Sequence, residues 1–266
     1  MLPPQRHAVI LARIRAQGGV RVSDLARELG VSDMTVRRDL EVLAEQGLVV
    51  KIHGGATGVG DHPTTDEPGF VVKQARERSE KRAIATVAAA QVAPGTAVVL
   101  SAGTTTFALA RQLTAVPRLT VVTNSMRIAE VFHETDDAEQ TVVLTGGMRT
   151  PSDALVGPFA LAALRDLHVD LAFMGVHGMA PRSGFTCPNL MEAETDRALI
   201  ASARQLVVVA DHTKWGVVGL CSIAQLRDAD LLITDDGLEP AARSVLEQEV
   251  GRLVLAPTGA SNEETA

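Results

Sequence analysis

The chain has 266 residues, of which 46% are hydrophobic, enough for two domains with separate cores. A formal net charge of -7 argues against a protein that coats nucleic acid without selectivity. The cysteines, Cys187 and Cys221, are far apart along the chain and suit a reducing compartment better than a disulfide framework.

The charge is unevenly spread. Up to His53 the bases Arg6, Arg13, Arg15, Arg21, Arg27, Arg37, Arg38 and Lys51 slightly outnumber the acids, and the acidic excess lies downstream. This is the balance expected of a basic reader joined to an acidic body. The first residues carry no apolar leader, and no run approaches the roughly 18 apolar residues of a membrane span. A cytoplasmic protein without a membrane partner is expected.

Residues 3–16 read as a helix with His7, Ile10, Leu11 and Ile14 on one stripe, His7 packing by its stem at the core edge. Gly18 and Gly19 break it, and residues 20–22 are extended. Ser23 suits the N-cap of a second helix over 24–29, with Leu25, Ala26 and Leu29 inward. Gly30-Val31 is a tight turn, and Ser32 caps a third helix that runs toward a stop at Gly47. In that helix Val36, Leu40 and Leu43 form one apolar stripe. Met34, Arg38 and Glu41 point the other way, with Thr35 and Arg37 on the flanks. A helix that docks one face and offers such an end outward can enter the DNA major groove. Residues 48–55 alternate like a strand and end in Gly54-Gly55, a wing that can lay Lys51 and His53 along the DNA backbone. The whole is a winged helix-turn-helix. Its candidate DNA contacts are Ser32, Met34, Thr35, Arg37, Arg38, Lys51 and His53, and its partner is a double-stranded DNA operator.

These residues carry a resemblance. Leu29-Gly30-Val31-Ser32, Thr35-Val36-Arg37-Arg38-Asp39-Leu40, Gly47-Leu48 and His53-Gly54-Gly55-Ala56 resemble the N-terminal signature of DeoR-type bacterial transcriptional repressors. Asp39 is placed to hold Arg37 or Arg38 in a fixed rotamer by a charge-assisted bond. The other arginine is then left for DNA.

The domain divisions follow composition: a winged helix-turn-helix over 1–57, a linker over 58–69 rich in Gly, Pro and Asp, an α/β domain over 70–256, and a frayed tail over 257–266. A helix is expected to begin within 70–78 and to run to Gln91, with Ile84, Val87 and Ala88 inward. Six apolar runs follow, at 97–100, 119–122, 141–144, 171–174, 206–209 and 231–233. Near-continuous apolar strands are buried on both faces, as in a mainly parallel sheet wrapped by helices. Ligands of such sheets bind beyond the carboxyl ends of the strands.

Those ends are similar to one another. Ser101, Gly103, Thr104, Thr105 and Thr106 follow the first run and open onto a helix from Phe107; Thr123, Asn124 and Ser125 follow the second. Gly146, Gly147 and Arg149 follow the third, Gly175 and His177 the fourth, and Asp211 and Lys214 the fifth. Small hydroxyl residues and glycines at a helix start expose N–H groups to an anion. Arg149 and Lys214 supply mobile positive charge, while Asn124, Asp211 and Glu192 can bind hydroxyls. The expected ligand is a phosphorylated sugar. The order of the loops also resembles the effector domain of the same repressors, which is similar in fold to ribose-5-phosphate isomerase and binds a phosphorylated sugar intermediate. One reader domain buries little groove surface, so a homo-oligomer presenting two or more readers to repeated half-sites is expected.

The isomerase kinship supplies a rival reading. Aldose–ketose isomerisation needs a carboxylate base beside groups that stabilise the enediolate. Residues 175–185 contain no carboxylate and no lysine, leaving Glu192 or Glu194 and Lys214 without partners. No catalytic residues are therefore assigned and no enzyme is expected. Residues 101–106 lack the Gly-x-Gly-x-x-Gly of a dinucleotide site. The histidines have no zinc-ligand spacing. No cofactor or metal is expected. Trp215 reads as a lid or interface residue, and Cys187 as a small buried one.

Overall fold

The structure is a computed structural model that describes residues 3–17, 19–45, 48–52, 54–58, 69–134 and 139–259. Gly47, His53 and most of the expected linker lie outside the described residues. The chain divides into two units, Met1–Pro63 and Thr64–Ala266.

In the first unit, helix α1 (Pro3–Gln17) turns Ile10 and Ile14 inward and leads to strand β1 (Gly19–Arg21). Helix α2 (Val22–Leu29) ends at Gly30, whose φ of 64° is the left-handed conformation glycine adopts without a Cβ clash. Ser23 is not the cap. The Val22 N–H donates to the Gly54 carbonyl at 2.8 Å, so a helix-start donor is satisfied from the hairpin and α2 begins before Ser23. Helix α3 (Asp33–Glu45) starts as expected, with the Thr35 N–H donating to Ser32 Oγ at 3.2 Å. Strands β2 (Val49–Ile52) and β3 (Gly55–Gly58) form an antiparallel hairpin, and β1 adds on the far side of β3. A Cβ on Gly55 would sit 2.0 Å from the Val20 carbonyl oxygen, so only glycine permits that approach of β3 to β1. Strand β3 takes in Gly58, which composition had assigned to the linker. Ile10, Ile14, Leu25, Val36, Leu40, Leu43 and Ala56 form the core of this unit.

The second unit opens with two helices where one was expected, α4 (Phe70–Ala75) and α5 (Arg78–Ala89). Between them Glu77 takes a left-handed φ of 46°. The buried Lys81 stabilises the break: its Nζ donates to the Lys73 carbonyl at 2.8 Å and to the Arg76 carbonyl, capping the end of α4. Then follow β4 (Ala97–Leu100), α6 (Thr104–Leu113), β5 (Thr120–Thr123), α7 (Met126–His133) and β6 (Thr141–Leu144). A short hairpin, β7 (Met148–Arg149) with β8 (Leu155–Val156), precedes α8 (Pro158–Leu164) and β9 (Val169–Met174). The chain continues through β10 (Gly178–Ala180), β11 (Gly184–Cys187), α9 (Leu190–Ala201), β12 (Ala203–Val209), β13 (Cys221–Ala224), β14 (Leu231–Asp235), α10 (Pro240–Glu249) and β15 (Leu253–Ala256).

Seven strands form one sheet in the order β15-β14-β12-β9-β4-β5-β6, and every neighbouring pair is parallel. Side chains of alternate parity feed two cores. Val98, Leu100, Val121, Val207 and Ile233 pack with Ile84, Leu109 and Ile128 on one face, and Val99, Ala172, Val208 and Leu232 pack with Ala193, Leu199 and Leu246 on the other. One expectation fails at an edge. The run 141–144 is β6, the outermost strand, with Thr141 and Leu144 exposed rather than buried. The opposite edge, β15, was not read from its sequence. Helix α6 begins at Thr104 rather than Phe107. Cys187 and Cys221, both free thiols, face each other across the antiparallel β11–β13 pair. In the expected tail, the N–H and hydroxyl of Thr258 both donate to Asp236, while residues 260–266 lie outside the described residues. No helix among the described residues is long and apolar enough to cross a membrane.

Candidate DNA-reading helix and effector site

The third helix presents what its periodicity requires. Val36, Leu40 and Leu43 are buried, whereas Met34 is 73% exposed and Arg37 and Arg38 are exposed beside it. Ser32 and Thr35, at the helix start, share a hydroxyl–hydroxyl hydrogen bond of 2.9 Å. On the wing, Lys51 Nζ lies 2.7 Å from Glu41 Oε1 of α3, so the wing lysine rests on the reading helix. Both groups are exposed, and DNA can compete for the lysine at little cost. His53 lies outside the described residues.

Asp39 does not hold Arg37 or Arg38. It is buried, and its carboxylate accepts a two-pronged bond from Arg6 of α1, with Arg6 Nη2 at 2.9 Å from Oδ1, while His7 Nε2 lies 3.0 Å from the same oxygen. Burial alone pushes this carboxyl up, but the hydrogen bonds and positive charge of Arg6, with His7, outweigh it and hold Asp39 below the usual carboxylate range. Asp39 stands four residues from Thr35 and three from Val36, on the docked side of the helix, and only tertiary contact reveals its partner.

In the second unit, parallel pairing places the carboxyl ends of β4, β5, β9 and β12 side by side. Ser101 Oγ accepts the Gly175 N–H at 3.0 Å, and Asn124 Oδ1 accepts the Ala102 N–H at 2.8 Å. Thr123 Oγ1 donates to the Leu100 carbonyl at 2.7 Å, and Thr106 Oγ1 donates to the Gly103 carbonyl at 3.0 Å. These candidates therefore lock neighbouring loops together. A Cβ on Gly103 would lie 3.0 Å from Thr106 Oγ1 and 4.0 Å from Gly175 Cα, so small residues let the first and fourth loops meet.

The helix starts differ in a way that matters for an anion. Ser125 caps α7 by accepting the Ile128 N–H, and Asn189 caps α9 by accepting those of Met191 and Glu192. Helix α6, which follows the interior strand β4, has Gly103 at its N-cap and no side-chain cap. The amides of Thr104, Thr105 and Thr106 occupy the first turn, where an α-helix supplies no internal acceptor. This start combines donors that lack an intrahelical acceptor with the positive end of the helix dipole.

The remaining candidates are held in different ways. Gly146 and Gly147 have φ of 72° and 124° and lead into β7. Arg149 is tied to Asp153 rather than mobile, with Nε at 2.7 Å from Oδ1. Glu192 is buried and accepts from the hydroxyls of Thr150 and Ser152. His177 is held by its backbone, its N–H donating to the Thr186 carbonyl at 3.0 Å. Asp211 is fully buried and caps the turn His212–Lys214 through the Thr213 N–H at 3.2 Å. Lys214 is half-buried. Trp215 is partly buried and packs against the core.

Residues missed at the sequence level complete the picture. Lys81 lies close enough to Asp211 and Lys214 to feel both charges, and burial is the largest cause of its lowered pKa. Glu77 is raised by burial and then by the negative charge of Asp211. Asp153, Arg127, Thr150 and Ser152 build the loop next to Asn124 and Glu192. The Thr-Pro-Ser-Asp turn at 150–153 was the available signal.

Residues 6–60 match the DeoR-like helix-turn-helix domain family, and residues 76–236 match the DeoR C terminal sensor domain family. The uncharacterized HTH-type transcriptional regulator YgbI of Escherichia coli K12 is 38% identical, over 96% of this chain and 98% of its own length. The putative aga operon transcriptional repressor of Escherichia coli O157:H7 is 33% identical, over 88% of this chain and 87% of its own. Among solved structures, ribose 5 phosphate isomerase A from Neisseria gonorrhoeae is similar over 51% of this chain and 52% of that one, with 14% identity and a TM-score of 0.38. A reader helix with exposed arginines in one unit and a parallel sheet with converging loops in the other, matched by both domain families, make this chain a member of the DeoR family of DNA-binding transcriptional regulators.

Proposed function

We propose that this regulator is a repressor of carbohydrate-metabolism genes whose operator affinity is set by a phosphorylated sugar bound at the strand-end loops of the second unit. The observation that carries the ligand class is the uncapped start of α6, which follows the interior strand β4 of the parallel sheet. Its amides, with cationic side chains of the neighbouring loops, take the phosphoryl group, and polar side chains read sugar hydroxyls. Repression follows a relative named as an operon repressor. Ser32, Met34, Thr35, Arg37 and Arg38 read the major groove, and Lys51 and His53 follow the backbone. One such helix covers little groove, so the working form is a homo-oligomer on repeated half-sites in the cytoplasm. Glu192, engaged by Thr150 and Ser152, is a binding carboxylate and not a free base.

Fluorescence anisotropy of the protein on its own upstream DNA, repeated with a panel of sugar phosphates, tests this reading. The expected result is salt-dependent, sequence-selective binding that one phosphorylated sugar shifts and its unphosphorylated form does not. Specific DNA binding that no phosphate alters overturns the effector site. Turnover of a pentose phosphate without DNA binding overturns the regulator.

A further inference from the structure

Beside the strand-end loops, two arginines converge on one buried carboxylate. Arg127, in the first turn of α7, and Arg149, in β7, both bond to Asp153. The side chain of Asp153 is 9% exposed and that of Arg149 is 63% exposed, so an incoming anion meets the arginine before the acid. Burial pushes the Asp153 carboxyl up, but the hydrogen bonds from Arg127 and Arg149 outweigh it and hold the group below its ordinary value.

The Asp153 loop is wired to the candidate effector residues. The Leu155 N–H donates to the Asn124 carbonyl at 2.7 Å, Asn124 Nδ2 donates to the Leu155 carbonyl at 3.3 Å, and Thr150 and Ser152 reach Glu192. Its other connection runs toward the DNA-reading unit along the chain. The Arg127 guanidinium carbon stands 4.5 Å from the centroid of the Phe70 ring, and that ring meets Phe107 edge-on at 5.5 Å and 86°. Phe70 is buried and opens α4, the first described helix after residues 59–68. A single guanidinium is thus shared between a carboxylate in the effector loop and the aromatic anchor of the helix that follows the reader.

We propose that Arg127 and Arg149 form an anion-exchange clamp: the effector's phosphoryl group replaces the Asp153 carboxylate as their partner, and the movement of Arg127 off Phe70 loosens α4. An arginine fork suits a phosphoryl group as well as a carboxylate, so exchange needs no new donor. The coupling has a sign, because a ligand shifts an equilibrium only by its different affinity for two states. The anion favours the state in which Arg127 has left the ring. The inference rests on the effector-site reading above and adds its anion partners and its responding element.

Hydrogen exchange of the full chain, read on peptides covering 70–75 with and without inorganic phosphate, tests the clamp, and calorimetry of phosphate binding runs beside it. In the wild type, phosphate should speed exchange of these amides severalfold. In Arg127→Gln exchange should be fast already and indifferent to phosphate. In Asp153→Asn the response should appear at lower phosphate, since the competing charge is gone. Arg127→Lys keeps the charge but neither the fork nor the flat face, and should not restore the response. Phosphate binding unchanged in Arg127→Gln, with the α4 response intact, overturns the clamp and leaves the effector site standing. No phosphate heat in the wild type removes both.

Discussion

Replacing Asp39 with leucine should unfold the DNA-reading unit before it alters any DNA contact. The Arg6 and Asp39 side chains are 9% and 7% exposed, so the substitution removes the carboxylate that the buried Arg6 guanidinium meets. Removing one partner of a buried pair costs about 3–5 kcal/mol. A unit of this size has a total stability of roughly 3–9 kcal/mol, at 0.05–0.15 kcal/mol per residue. The variant therefore sits at the edge of unfolding. Trp215 is the sole tryptophan and belongs to the second unit, so its fluorescence does not report this change. Far-UV circular dichroism in urea, with hydrogen exchange on residues 33–45, does. The double variant Arg6→Met, Asp39→Leu should recover most of the loss, because no charge is then stranded. Acid should act like the substitution. A carboxyl held below its ordinary value contributes stability above that ordinary range, and the contribution disappears as pH falls through the lowered folded value. If Asp39→Leu leaves unfolding of this unit unchanged while operator affinity collapses, the residue serves the DNA-facing arginines after all and the packing argument is wrong.

Four further outcomes are expected. Arg38→Ala should cost about 1–3 kcal/mol at one base position if it forks on guanine, whereas Lys51→Ala should weaken all sequences alike and lower the salt slope by about 1; a sequence-selective loss for Lys51→Ala in a salt series would contradict the wing assignment. Gly147→Val should abolish the effector response with operator affinity retained, since φ is 124° and its Cβ would lie 2.4 Å from the Val156 carbonyl oxygen; an unchanged response in the anisotropy titration refutes a role for that turn. Glu77→Gly should stabilise the second unit by about 1 kcal/mol, relieving a left-handed non-glycine residue, as calorimetry at neutral pH would show. That gain should shrink as pH falls through the raised Glu77 value, because the protonated side chain no longer suffers from burial or from Asp211. Peroxide should join Cys187 to Cys221 with loss of both thiol hydrogens and reduction of peroxide to water. Opposed residues of an antiparallel pair have Cα atoms about 4.5–5.5 Å apart, inside the disulfide range; mass spectrometry finding only intermolecular bridges would count against it.

Much of the architecture was legible because apolar periodicity is local. The stripe Val36, Leu40 and Leu43 names the docked face of α3, and near-continuous runs such as 97–100 and 206–209 name strands buried on both sides. Parallel pairing then carries their following loops to one edge, which is why residues as distant as Ser101 and Gly175 were candidates together before their 3.0 Å hydrogen bond was seen. Edge strands were less legible, since β6 and β15 lack a full set of neighbours and their burial departs from the interior pattern.

What periodicity does not encode is the partner of a charge. From sequence, Asp39 was matched to adjacent arginines, and Arg149 was read as a mobile cation. The folded chain instead brings Arg6 to Asp39 from another helix, Arg127 and Arg149 to Asp153, and Lys81 to the carbonyls that end α4. Hydrophobic burial is non-directional and averages over many residues, so the amino-acid pattern alone settled which faces turn inward. An ion pair depends on two particular atoms meeting within a few ångströms, and only the tertiary structure decides which atoms those are.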